Sequence, residues 1–356
     1  MPSFKGGGSK TTVSINIPQF DASFTGTGDL FAALMLAYIT RTNHNVKESL
    51  ERTIATIQSV LERTAQSFPN KVYFQFYYWG IFVSQVLGFE VDAINTVQFS
   101  NHSGYGHLKG KVITEQDFDE LIEGLKMNDL MDYTHVLTGY CRSPQLLSKI
   151  GELVKELKKA NPTLMYVCDP VMGDNGRMYV PEEVLPIYAN ELLSVADVIC
   201  PNQFEAELLT KIPIKDKASL LKTINVLHDR GIKTVVISSS ELGPEKHLLG
   251  VASTVVGGSK TTVSINIPQF DASFTGTGDL FAALMLAYIT RTNHNVKESL
   301  ERTIATIQSV LERTAQSFPN KDPSALTCKE KELKLIQSKS DIENPVVKIE
   351  AQPFSL

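Results

Sequence analysis

The hydrophobic pattern of this chain switches repeatedly between two periods. Short, largely apolar runs fall at 134–137, 164–168, 197–200, 234–237 and 247–253. Each reads as a strand buried on both faces. Between them, apolar residues recur three and four positions apart. Glu115 to Lys126 sets Phe118, Leu121, Ile122 and Leu125 on one helical face. Pro144 to Lys159 does the same with Leu146, Leu147, Ile150, Leu153 and Leu157. Further helices are predicted at 182–193, from about Phe204, and at 219–230, 279–290 and 296–318. Val91 to Phe99 and Thr261 to Ile267 read as additional strands. Strands alternating with helices predict an α/β fold whose mainly parallel sheet carries helices on both faces.

A repeat complicates this series. Gly7 to Lys71 recurs residue for residue at Gly257 to Lys321, a shift of 250 positions. Solenoid repeats are short, numerous and divergent, because each copy meets a different neighbour. Two identical blocks point instead to a recent duplication, or to an error in joining the gene's segments. The C-terminal block follows the strand at 247–253 in the α/β series, so it is expected to fill the slot in the sheet. The organisation expected is therefore a surplus block at 1–71, appended or artefactual, an aromatic segment at 72–84 and a catalytic domain at 85–356.

Composition narrows the function. A net charge of −5 offers no basic stripe for a nucleic acid backbone. The cysteines Cys141, Cys168, Cys200 and Cys328 form no CxxC pair, which argues against a zinc site and fits a reducing compartment. MPSFKGGGSK lacks the apolar core of a secretory leader. VYFQFYYWGIFV at 72–83 is too short to span a bilayer. The expectation is a soluble, cytoplasmic protein with no nucleic acid or membrane partner.

Four segments carry candidate chemistry. In Gly276-Thr277-Gly278-Asp279, two glycines let the backbone approach a ligand, and the start of an apolar helix points unpaired N–H groups at an anion. Asp279 in the first helical turn can take a proton from an attacking alcohol; the same letters also suit an ordinary helix start. Asp169-Pro170-Val171-Met172-Gly173-Asp174 follows an apolar strand. Its two carboxylates can hold Mg²⁺ through water, or merely shape a turn. Asn202 and Glu205 have the spacing of a capping box, and equally can face a nucleotide phosphate. Ser238-Ser239-Ser240 ends a strand, where hydroxyls line a ligand site or close a loop. All four would gather along one edge of a parallel sheet, where such folds bind ligands.

In order and spacing these segments resemble the pyridoxal kinases of the ribokinase-like superfamily. The resemblance rests on VLGFEVDAINTVQFSNHSGY (86–105), VLTGY (136–140), YVCDPVMGD (166–174), MYVPEE, ICPNQFEAELL (199–209), VVISSS (235–240), FTGTGDLFAA (274–283) and LIQSKSDIENP (335–345). It implies a ribokinase-like three-layer sandwich that transfers the γ-phosphate of MgATP to the 5′-hydroxymethyl group of pyridoxal, pyridoxine or pyridoxamine. By the same resemblance Asp279 is the base, and Gly276, Thr277 and Gly278 form the anion hole. Ser103 and Tyr140 would contact the substrate. Asp169, Asn202, Glu205, Ser238 and Ser239 would flank ATP. Asp174 would lie near the cation, and Cys200 at a monovalent-cation position where relatives often have threonine. A homodimer is implied as well.

The resemblance fails before Gln85. The family's first strand, its substrate serine and a GYVGN-like turn are not recognisable, and VYFQFYYWGIFVS stands in their place. Ser84, directly before Gln85, is poorly placed to replace that serine. The loop Gly173 to Met178 is short for a flap over ATP. A second reading follows: a non-catalytic nucleotide-binding remnant with an incomplete substrate pocket.

Overall fold

The computed structural model describes residues 12–17, 24–66, 71–75, 78–102, 104–272, 274–318, 321–322 and 325–355. Two compact units divide the chain at Pro69 and Asn70.

In the first unit, residues 12–17 form no regular structure and are followed by α1 (Thr27–Arg41) and α2 (Val46–Gln66). Although α1 is apolar around its whole circumference, none of its residues is buried. The two helices meet through a hydrogen bond between the Tyr38 and Thr56 hydroxyls. Ser49, Thr53 and Ile54 of α2 are buried.

The second unit contains a nine-stranded sheet. In chain order its elements are β1 (Lys71–Gln75), α3 (Tyr78–Val86), β2 (Glu90–Ala93), β3 (Val97–Phe99), β4 (Gly110–Val112), α4 (Glu115–Met127), β5 (His135–Thr138), α5 (Pro144–Ala160) and β6 (Met165–Cys168). Then come β7 (Gly173–Asp174), β8 (Arg177–Met178), α6 (Val184–Ile187), a π-helical turn (Tyr188–Leu192), β9 (Val198–Ile199), α7 (Gln203–Thr210), α8 (Lys217–Asp229) and β10 (Thr234–Ser240). The series closes with β11 (His247–Val256), β12 (Ser259–Pro268), α9 (Thr277–Arg291), α10 (Val296–Gln316), α11 (Lys339–Glu343) and β13 (Gln352–Pro353). The sheet runs β13-β12-β11-β10-β9-β6-β5-β1-β2, parallel from β10 to β2 and antiparallel from β10 to β13. The hairpins β3–β4 and β7–β8 stand outside it.

Strand alternation divides the core into two layers. Leu137, Val167, Val198 and Val236 face α3, α9 and α10, while Val136, Tyr166, Cys168, Ile199, Val235 and Ile237 face the α4, α5, α7 and α8 side. Helix α9 buries ten consecutive residues, Leu280 to Ile289, as suits a helix that is hydrophobic on every side.

Three sequence expectations change. The stretch expected as one strand, Val91 to Phe99, breaks at Ile94 to Thr96 into β2 and β3, and β3 leaves the main sheet. The helix expected at 182–193 divides into α6 and the π-helical turn. Most consequentially, the place of a first strand is filled. Backbone pairing sets Lys71–Gln75 between β2 and β5, parallel to both, and the nearby α3 carries Ser84 into the core rather than towards a ligand. A β-prone aromatic run suits a strand flanked on both sides.

Candidate active site

The strand directions decide where the chemistry gathers. Parallel strands β5, β6, β9 and β10 release Tyr140, Asp169, Asn202 and Ser238 at their common C-terminal edge. Two antiparallel steps, β10 to β11 and β11 to β12, restore the original direction. Strand β12 therefore ends on the same edge and delivers the chain to Gly276. The four candidate segments converge as their common setting predicts.

At the turn, Gly276 has φ +88°, a left-handed conformation that favours glycine. No side chain caps the first turn of α9, so the leading N–H groups of a fifteen-residue helix stay available to an anion. A Cβ built on Gly278 would meet nothing within 4 Å; space for a ligand lies beside the turn.

Three carboxylates face this region. Asp279 retains some solvent contact, but its depth in the molecule pushes its carboxyl up to about 7. Glu205 is 4% exposed, and burial raises it to about 7. Asp169 is also buried and is driven well above the usual range, first by burial and then by the charges of Glu205 and Asp279. The Oδ2 of Asp169 has no hydrogen-bond partner. The cluster is short of positive charge, and an incoming cation would supply it.

Glu205 unites the two readings of its segment. Its Oε2 accepts from the Asn202 N–H at 2.9 Å, and the Asn202 side chain accepts from the Glu205 N–H at 2.9 Å. That is a capping box. Its Oε1 also accepts from the N–H groups of Met172 and Gly173, at 2.9 and 3.4 Å. The Asn202 amide donates to the Gly173 carbonyl at 2.8 Å. The cap thus fixes the 169–174 loop as well as starting α7. Met172 and Gly173 took no such part in the sequence analysis. The capping spacing was visible, but the backbone groups reach it from another strand. At Gly173 a Cβ would come within 2.2 Å of the Arg177 carbonyl, so only glycine fits this turn.

The remaining candidates fall into place separately. Tyr140 is half-buried, and burial raises its phenol. The Thr96 hydroxyl donates to its carbonyl at 2.9 Å, and the Tyr188 hydroxyl donates to that of Gly139 at 3.2 Å. Asp174 is exposed in the hairpin Gly173 to Met178. Ser238 and Ser239 are half-buried; Ser238 Oγ donates to the Pro201 carbonyl at 3.4 Å. The Cys200 thiol is buried among apolar neighbours, and burial pushes it well up, so it stays protonated. Among the described residues no group of three or more His, Cys, Asp or Glu side chains is placed to hold a metal ion. Ser103 lies outside the described residues.

Comparison with known proteins accords with this geometry. The family model for phosphomethylpyrimidine kinase matches residues 112–323. Pyridoxal kinase of Homo sapiens is 43% identical over 291 residues, covering 76% of this chain and 91% of the human one. That of Arabidopsis thaliana is 42% identical over 277 residues, covering 77% and 89%. Among solved structures, pyridoxal kinase from Leishmania donovani in complex with ADP and pyridoxamine superposes with a TM-score of 0.74 at 32% identity. It covers 80% of this chain and 100% of its own. The same enzyme in complex with ADP and pyridoxine gives the same score. The fold is the ribokinase-like α/β sandwich, and the chain is a kinase that belongs to the pyridoxal kinase family.

Proposed function

We propose that this protein phosphorylates the 5′-hydroxymethyl group of pyridoxal, and of pyridoxine and pyridoxamine, using ATP. The observation that carries the reading is the meeting of an uncapped helix N-terminus with Asp279, whose carboxyl is pushed up to about 7 by its depth in the molecule. Relatives solved with ADP and a vitamin B6 form support the choice of substrates. In the reaction, the Asp279 carboxylate takes the hydroxyl proton as the alcohol oxygen attacks the γ-phosphorus. The bond from that phosphorus to the β,γ-bridging oxygen breaks, and ADP leaves. The N–H groups at Gly276, Thr277 and Gly278 receive the transferred phosphoryl oxygens. Tyr140 and Ser103 are assigned to the vitamer. Asn202, Ser238 and Ser239 are assigned to ATP.

Mg²⁺ brought with ATP would be held through water by Asp169 and the more exposed Asp174, with Glu205 beside the nucleotide phosphate. When bound it neutralises phosphate charge. The unpartnered Oδ2 of Asp169 fits that role. A monovalent cation near Cys200 would use the main-chain carbonyl, since the thiol stays protonated. We assign the protein to the cytoplasm as a homodimer. Among the described residues no helix is long and apolar enough to cross a membrane.

The test is formation of pyridoxal 5′-phosphate from pyridoxal and MgATP by folded protein. Turnover is expected. ATP binding with no product, unchanged by Asp279→Asn, would replace this reading with the non-catalytic remnant.

A further inference from the structure

We infer that Tyr105 and Glu332 form a positioning pair that holds the loop between β3 and β4 over the alcohol substrate, an inference that rests on the function proposed above. The loop belongs to a hairpin outside the main sheet. Its foot is tied to the substrate side, where the Thr96 hydroxyl donates to the Tyr140 carbonyl at 2.9 Å. Its far end is tied to the phosphoryl turn. There the Tyr105 hydroxyl donates to Glu332 Oε1 at 2.5 Å, a charge-assisted bond of the strong class. Glu332 forms a β-bridge with Thr275, the residue before Gly276. The Thr275 N–H donates to the Lys331 carbonyl at 3.3 Å. A second, weaker tie runs from the Cys328 thiol to the Gly104 carbonyl at 3.6 Å.

Between these ties the loop braces itself. The Asn101 amide donates to the carbonyls of His102 and His107, at 3.1 and 2.9 Å. Ser100 and Lys109 pair through their backbones at 2.7 Å. A self-braced loop follows its anchors, so a bond at Tyr105 sets the position of the described residues 100–102 and 104–109. Its span runs from Tyr140 to the Gly276–Asp279 turn, and the alcohol attacking at Asp279 must sit there. The residues assigned to ATP lie beyond the end of β9 and on β10, whereas the hairpin foot lies at the end of β5. The pair is therefore expected to govern vitamer binding and to leave nucleotide binding alone. The Tyr105 phenol is pushed up to about 12, first by its bond to Glu332, so the donor survives any ordinary assay pH.

The experiment compares the full chain with Tyr105→Phe, Glu332→Gln and the double variant. It measures kcat and KM for pyridoxal and for ATP, with hydrogen exchange of residues 100–109 as a readout independent of turnover. The pair predicts that each single variant raises the pyridoxal KM about tenfold, with kcat and the ATP KM within about twofold. The double variant should be no worse than the weaker single, as for two halves of one contact. Exchange in the loop should quicken in all three while α9 and the sheet stay protected. Equal loss for both substrates, additive singles, or unchanged loop exchange would overturn it. If the parent chain shows no turnover, the functional reading fails, and the exchange comparison still decides whether the pair holds the loop.

Discussion

At Asp279, removal from water does two things at once. It raises the carboxyl to about 7, and so gives the base a proton affinity matched to neutral pH. Activity needs the ionised form, so kcat/KM for pyridoxal is expected to fall about tenfold per pH unit below roughly 7. A pH–rate profile checks the limb. Asp279→Asn should remove turnover by a factor of at least about a thousand. Asp29→Asn, the identical change in the exposed first copy, should leave turnover unaltered; an equal loss from both would break the assignment. A different buried group shows burial without function. The Ser84 hydroxyl is fully buried with no hydrogen-bond partner, a desolvation penalty of about 1–3 kcal/mol. Ser84→Ala removes the hydroxyl without adding bulk. It should raise stability by about 1 kcal/mol in a denaturant melt.

At the scale of elements, the chain contains its own control. Helices α1 and α9 have the same fifteen residues and begin alike, at glycines with φ +78° and +88°. Both turns that follow place Asn and His at positive φ, and both contain the same hydroxyl pair, Thr42 with Ser49 at 2.7 Å and Thr292 with Ser299 at 2.8 Å. Their burial differs completely. Leu36 is 70% exposed and Leu286 is fully buried. Leu286→Ala is therefore expected to cost about 2–5 kcal/mol, and Leu36→Ala less than about 0.5. Thermal or urea unfolding of the two variants measures both. The strand segments diverge further. Thr261 to Ile267 lies within β12, paired with β11, whereas residues 12–17 form no strand, and Ile17 is 55% exposed against 9% for Ile267. A strand needs a neighbour for its backbone groups; a helix pairs its own.

For the whole molecule, the acidic cluster sets a pH dependence opposite to that of a salt-bridged protein. Folded-state values for Asp279 and Glu205 are raised to about 7, above the roughly 4 expected of an unfolded carboxyl. The native state thus binds more protons than the unfolded one between those limits. Stability from these groups is present at acid pH and is lost as pH rises through about 7. Without nucleotide, the melting temperature should fall between pH 5.5 and 8, and Asp279→Asn should flatten that slope. Because Asp279 keeps some solvent contact, the Asn variant should gain only about 1–3 kcal/mol at pH 8, less than the full shift implies. A slope unchanged by Asn would mean that the cluster is not the source. The trade is a familiar one: charge held together for chemistry costs the resting fold.

Apolar periodicity was enough to place most strands and helices, because each element's local pattern matches its final burial. The segments from Tyr140 to Asp279 could be ordered along one sheet edge for the same reason. Other features lay beyond the letters. The aromatic run at 72–75 gave no sign that β2 and β5 would flank it, and Tyr105 and Glu332 stand 227 positions apart. The Glu205 cap was legible, but its hold on Met172 and Gly173 was not, since those N–H groups arrive from another strand. The repeat separates the two contributions. Sequence alone determined the helix starts, the left-handed turns and the local hydroxyl pairs, which are the same in both copies because their partners lie within a few residues. The tertiary structure alone decided which copy is buried and which strand forms. Those depend on removal from water and on neighbours across the sheet, and β11 offers one edge to one copy.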